Sequence, residues 1–202
     1  WDAQNQYWAG HSSSQPKING GSSNDYPQNS SDTNNRWYNE SYPGNGVSNP
    51  ATHTSCKDLP NVNEMTWYAQ EGDPRWDADE LWTTMGHLYK GGMWFKKKAK
   101  ISGFNANTDF YGIDRRVNGG RDGWPVSHTL PSAADAGNYF YLPALGFYNS
   151  GLLLQVGDRG YYWLSSAYPN NSNYTYHVVF YSSFVRIDYD VRSSGERAEA
   201  FQ

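Results

Sequence analysis

Near the C-terminus, His177, Val179, Tyr181, Phe184, Arg186 and Asp188 place an imidazole, two aromatic rings, a cation and an anion at two-residue spacing. Rings for contact area with charges beside them are the make-up of a recognition surface. Tyr189 and Asp190 continue the run. Catalysis finds no comparable constellation. The five histidines, His11, His53, His87, His128 and His177, stand far apart, and none is at metal-ligand spacing from another. No nucleophile elbow, phosphate-binding loop or dinucleotide fingerprint occurs. Cys56 is the only cysteine, so no internal disulfide forms and the thiol reads as a packed or incidental one. The acids of Asp73-Pro74-Arg75-Trp76-Asp77-Ala78-Asp79-Glu80 lack the spacing and the glycine of a calcium loop. No two carboxylates single themselves out for hydrolysis. The expectation is a protein that is not an enzyme, with no cofactor and no metal site.

Two strands must carry the row. Tyr176, Val178 and Phe180 alternate with His177, Val179 and Tyr181, and then Val185 and Ile187 alternate with Phe184, Arg186 and Asp188. Only Ser182 and Ser183 lie between, short enough for a tight hairpin. Alternate side chains on a strand point to opposite faces. Tyr181 is therefore expected opposite Phe184, Val179 opposite Arg186, and His177 opposite Asp188. Val178, Phe180, Val185 and Ile187 form the inward row, each stabilising by roughly 1.5–3 kcal/mol when fully buried. The outward row is either an open binding face or core beneath a second layer. Its composition favours the binding face.

The rest of the chain must supply a rigid frame. In 202 residues there are nine Trp and seventeen Tyr, with abundant Asn, Ser and Gly. That mixture implies an irregular, loop-rich fold in which aromatic rings supply much of the buried area, and it argues against a helical bundle or a doubly wound sheet. The net charge of −4 and the lack of a basic stripe make nucleic acid a poor partner. Lys96-Lys97-Lys98 with Lys100 reads as a solvated strand end. No hydrophobic run approaches the length of a membrane span, so no direct membrane insertion is expected. A start at Trp1 rather than Met suggests a processed product or an excised domain.

Residues 1–55 are rich in Asn, Ser, Gly and Pro, yet Trp1, Tyr7, Trp8, Tyr26, Trp37, Tyr38 and Tyr42 punctuate them, which reads as a long loop region pinned by aromatics. The sequons at Asn39 and Asn173 are expected by chance in so Asn-rich a chain. Asn61 and Glu64 have the spacing of a capping box, and Val62, Met65, Thr66 and Ala69 share one helical face that Gly72 ends. The acids Asp77, Asp79 and Glu80 suggest a second short helix, from Pro74 or Asp77 to Thr84. Met93 to Lys98 reads as a strand. Asn118-Gly119-Gly120 and Asp122-Gly123 read as turns. Tyr139 to Phe147, interrupted by Pro143, reads as an edge strand or a bend. No linker separates two cores.

Three segments in order carry a resemblance. Leu142-Pro143-Ala144-Leu145-Gly146-Phe147 is followed by Gly160-Tyr161-Tyr162-Trp163-Leu164-Ser165-Ser166 and then by the paired strands. Together they resemble the variable proteins of diversity-generating retroelements, which have a C-type-lectin fold, in many members the form shared with formylglycine-generating enzymes. The likeness is best over residues 139–201. The stretch Cys56–Lys98 resembles the scaffold of bacterial and phage members.

The resemblance implies an α+β, C-type-lectin-like fold with two short helices, twisted antiparallel strands and long irregular loops. It implies one domain over 1–202, with 1–138 as scaffold and 139–202 as the variable ligand-binding region. It also implies how the outward row arose. An error-prone reverse transcriptase rewrites adenines, chiefly in Asn codons, and cannot reach Lys, Glu, Gln, Met or Trp. From Val156 to Gly195 the only residue of that set is Trp163, part of the family's Tyr-Trp pair. The residues assigned to ligand binding on this basis are Asp158, Arg159, Leu164, Tyr168, Tyr174, His177, Val179, Tyr181, Phe184, Arg186, Asp188, Tyr189 and Asp190. Two features depart from the pattern. Family members commonly continue with a short Val-Arg strand where this chain ends at Gln202, and Leu164 replaces a small residue. The calcium-dependent sugar motifs of animal lectins are absent, so sugar binding does not follow from the fold.

The function implied is a non-catalytic, adhesin-like recognition module on a cell surface or phage tail that binds a variable protein or cell-surface target. Two rival readings are a formylglycine-generating-enzyme-like oxidase, against which the lone Cys56 speaks, and a structural surface or pilus-tip domain without a ligand.

Overall fold

The computed structural model describes residues 56–84, 86–149, 152–171, 174–192 and 194–201. The aromatic-pinned stretch 1–55 and both sequon asparagines lie outside the described residues. The elements run α1 (Val62–Gln70), β1 (Arg75–Thr84), β2 (His87–Lys96), α2 (Arg115–Asn118), β3 (Asp122–Pro125), β4 (Tyr139–Pro143), β5 (Phe147–Asn149), β6 (Leu152–Leu154), β7 (Gly160–Ala167), β8 (Tyr174–Tyr181) and β9 (Phe184–Val191). The fold is mixed and strand-dominated. Its sheets are antiparallel, with strand orders β1-β2-β4, β3-β9-β8-β7 and β5-β6.

Helix α1 starts at the expected capping box. The Asn61 side chain accepts from the Glu64 N–H at 2.9 Å, and the Asn61 N–H donates to Glu64 Oε2 at 3.0 Å. Two of the helix's orphan donors are thereby satisfied. Val62, Met65, Thr66 and Ala69 are all buried, joined by Asn63 and Tyr68. Gly72 ends the helix because any Cβ there would overlap the Tyr68 carbonyl.

The expected second helix is instead the strand β1. The acids read as helix-start residues have another role. Asp77 Oδ1 accepts from the N–H groups of Asp79 and Glu80, each at 3.0 Å, and Oδ2 accepts from Trp94 Nε1 at 3.1 Å. These bonds coincide with a register shift between Asp77 and Leu81 against β2. The carboxylate thus stabilises a bulge by bonding its own backbone. A second correction concerns Asp122-Gly123, which opens strand β3 rather than making a turn. The proline-interrupted segment behaves as expected: β4 lies at the edge of its sheet.

The core sits among α1 and the two larger sheets. Phe95 of β2 meets Phe180 of β8 with ring centroids 6.1 Å apart, and Tyr68 of α1 meets Phe140 of β4 at 5.7 Å. Fully buried tyrosines keep their hydroxyls bonded, Tyr162 donating to the Pro143 carbonyl at 2.6 Å and Tyr176 to the Arg115 carbonyl at 3.2 Å. Aromatic area replaces the sparse aliphatics, and of the buried hydroxyls only that of Tyr141 lacks a hydrogen-bond partner among the described residues.

Candidate ligand-binding face

The hairpin forms in the expected register. Tyr181 pairs with Phe184, Val179 with Arg186 and His177 with Asp188, without a slip along the ribbon. The inward row is sealed: Val178, Phe180 and Val185 are fully buried and Ile187 nearly so. Next to it, β7 places Gly160 opposite Phe180. A Cβ at Gly160 would overlap the Phe180 ring, so the glycine makes room for the ring.

The outward face is divided in two. Its half on the β9 side is open. The Arg186 side chain is 47% exposed, the turn residues Ser182 and Ser183 are exposed, and Tyr181 and Phe184 are half-buried. Tyr181 and Phe184 lie nearly parallel, 6.3 Å apart. The Arg159 guanidinium lies 4.9 Å from the Tyr181 ring centroid, and that of Arg186 lies 5.9 Å from Phe184. Phe184 also packs over Gly123 of β3, where a Cβ would strike its ring. Around these rings run loose ion pairs: Arg186 to Asp188 at 3.7 Å, Arg121 to Asp188 at 3.4 Å and Arg159 to Asp158 at 3.6 Å. Pairs of this length whose arginine side chains stay 39–57% exposed contribute little to folding. The fold thus brings Asp158, Arg159, Tyr181, Phe184, Arg186 and Asp188 into one patch, with Arg121 added from outside the expected set.

The turn that presents Asp158 and Arg159 is held in an unusual backbone conformation. Gln155 has φ 61°, in the left-handed region, which costs a non-glycine residue about 1 kcal/mol or more. Its carbonyl accepts from the N–H groups of Asp158 and Arg159, and its Oε1 accepts from the Tyr161 hydroxyl at 2.6 Å.

No family model, curated protein or solved structure matches this chain.

On the β7 side the outward face is covered, and the expected contact residues His177 and Val179 are interior there, while Leu164 is interior on the opposite, core-side face with Tyr162. His177 is 5% exposed, Val179 8% and Leu164 2%. The cover is the C-terminal segment. Gly195 exchanges hydrogen bonds with Tyr148 of β5, and Arg197 with Tyr161 and Trp163 of β7. Glu196, between them, sends a fully buried carboxylate to His177, with Nδ1 and Oε1 2.8 Å apart. Burial pushes the His177 pKa down, but the carboxylates of Glu196, Asp190 and Asp188 push it up further. Burial raises the pKa of Glu196, and His177 offsets only part of that rise. Asp190 points to the same side, its Oδ2 accepting from Ser194 Oγ at 2.9 Å.

Tyr168, Tyr174 and Tyr189 belong elsewhere. Tyr189 pairs with Tyr176 and Tyr174 with Val191, so strand alternation puts both on the core-side face, opposite Tyr181. There Tyr168 stacks on Tyr189 at 3.9 Å and lies 5.5 Å from the buried Tyr176. Tyr189 does not continue the outward row. Glu196 carries no signal in the sequence, for nothing in the polar run Arg192-Ser193-Ser194-Gly195-Glu196-Arg197 distinguishes a buried acid.

Proposed function

We propose that this chain is a non-catalytic recognition module whose contact surface is the open half of the outward face. The observation that carries this reading is the contrast across one ribbon. Val178, Phe180, Val185 and Ile187 anchor one face in the core, while Tyr181, Phe184 and Arg186 stand on the other with partial access to solvent. Rings of limited rotamer freedom beside loosely paired charges suit a protein or cell-surface target, as in a paratope. A C-type-lectin-like frame of the retroelement variable-protein kind, displayed on a cell surface or phage tail, accommodates both the segment order and the alternation. On this reading Asp158, Arg159, Tyr181, Phe184, Arg186 and Asp188 vary and the inward row does not.

The test combines one variant with one sequencing experiment. Y181A/F184A/R186A keeps a cooperative unfolding transition, while binding to surface extract of the host falls by more than about 2 kcal/mol. Sequencing the locus from sibling isolates finds replacements concentrated at the open positions. An unfolded triple variant, or replacements scattered evenly over both faces, overturns the reading.

A further inference from the structure

We propose that His177, Asp190 and Glu196 form a site for one divalent cation of the zinc type, which fastens the C-terminal segment to the ribbon. One donor atom from each residue lies within 4.8 Å of the other two, and closure by up to about 1.5 Å reaches tetrahedral geometry with zinc bonds of about 2.0–2.2 Å. The observation that points to a ligand is at Glu196. Its side chain is wholly buried, yet Oε2 has no hydrogen-bond partner. A buried carboxylate oxygen left without a donor is costly, and a cation between the three side chains would satisfy it.

The donor set indicates which cation. One imidazole nitrogen with two carboxylates suits zinc and its neighbours better than calcium or magnesium, which prefer oxygen ligands alone. A neutral imidazole with two carboxylates carries two negative charges, which a divalent ion neutralises. Asp190 is already oriented, its Oδ1 accepting from the Val191 N–H at 2.7 Å and its Oδ2 from Ser194 Oγ at 2.9 Å. Supporting bonds of this kind hold ligands for a metal. Three side chains leave the fourth tetrahedral position open to water. A cavity of about 290 Å³ runs along the covering segment, lined by Tyr148, Gly195, Glu196 and Arg197. The three ligands come from β8, β9 and the segment beyond, so the site exists only in the folded chain, and binding stabilises that fold. It lies under the covered half of the face and does not depend on recognition by the open half.

The experiment uses the whole chain, stripped with EDTA and titrated with Zn²⁺ by calorimetry, with metal content measured after gel filtration. The expected result is one zinc per chain, a raised melting temperature, and at least 100-fold weaker binding of Mg²⁺ and Ca²⁺. D190N, at a half-buried position that tolerates an amide, keeps the fold and loses at least tenfold in zinc affinity; H177N does the same or worse. R186A binds zinc as the wild type does, which separates this proposal from the recognition reading. Two results overturn it. One is no stoichiometric zinc in the folded wild type. The other is zinc binding that D190N and H177N leave unchanged, which places the ion on other residues.

Discussion

Gly160 and Arg186 mark the two extremes of what the ribbon tolerates. Adding one methyl at Gly160 drives it into the ring of Phe180, which has nowhere to go because it is fully buried. G160A is expected to destabilise by roughly 1–3 kcal/mol, the usual range for overpacking, read as a lower urea midpoint. R186A removes a side chain 47% exposed and is expected to change stability by less than about 0.5 kcal/mol, leaving the midpoint nearly unmoved. The alternation from Tyr176 to Asp188 was legible because the period is set by local geometry. The burial of His177 and Val179 was not, because it depends on which distant segment folds over them, and Leu164 instead lies on the core side of β7 with Tyr162. Tyr189 was misplaced for a simpler reason: its parity along β9 puts it with Ile187, and counting by two from Asp188 excludes it.

At the scale of elements, α1 was readable from its cap and β1 was not. Asn61 and Glu64 bond reciprocally, and the Asn61 side chain also donates to the Ala106 carbonyl. N61A is expected to cost about 1 kcal/mol, or somewhat more with that second bond lost, measured by chemical denaturation. Acids near Asp77 look alike whether they start a helix or pin a bulge, and only the pairing partner across β2 decides. The short helix α2 offers a pH test. Hydrogen bonds from the Arg116 guanidinium to its N-cap, Asp114, hold that carboxyl below its ordinary value of 3.8 against the opposing effect of burial, with Asn63 assisting. A carboxyl with a depressed folded pKa contributes stability that is present above its unfolded value and lost as pH falls through the folded one. Wild type should therefore lose stability more steeply than D114N below about pH 4. Parallel acid slopes would remove Asp114 from the account. Asn keeps the capping ability, so the comparison isolates the charge.

Taken whole, the molecule holds its layers together with rings. Phe201 lies 5.3 Å from Phe140 and 5.4 Å from Tyr68, so the end of the described chain packs into the first helix and the edge strand β4. F201A is expected to destabilise by about 3 kcal/mol, seen as a lower melting temperature without a change in the Tyr181–Arg186 patch. The aromatic supply of the core was legible in composition, whereas the dominance of strands over irregular loops was not. The C-terminal cover was not, since Gly195 to Arg197 has no periodicity and joins β5 and β7 through backbone bonds alone. The eight matched pairs from Tyr174 opposite Val191 to Tyr181 opposite Phe184 also constrain the gene. Adding one codon within β9 would move Val185 or Ile187 into water and charged neighbours into the interior. A one-residue change of length in this ribbon is therefore expected to unfold it, whereas an exchange of one side chain for another at an open position leaves the pairing intact.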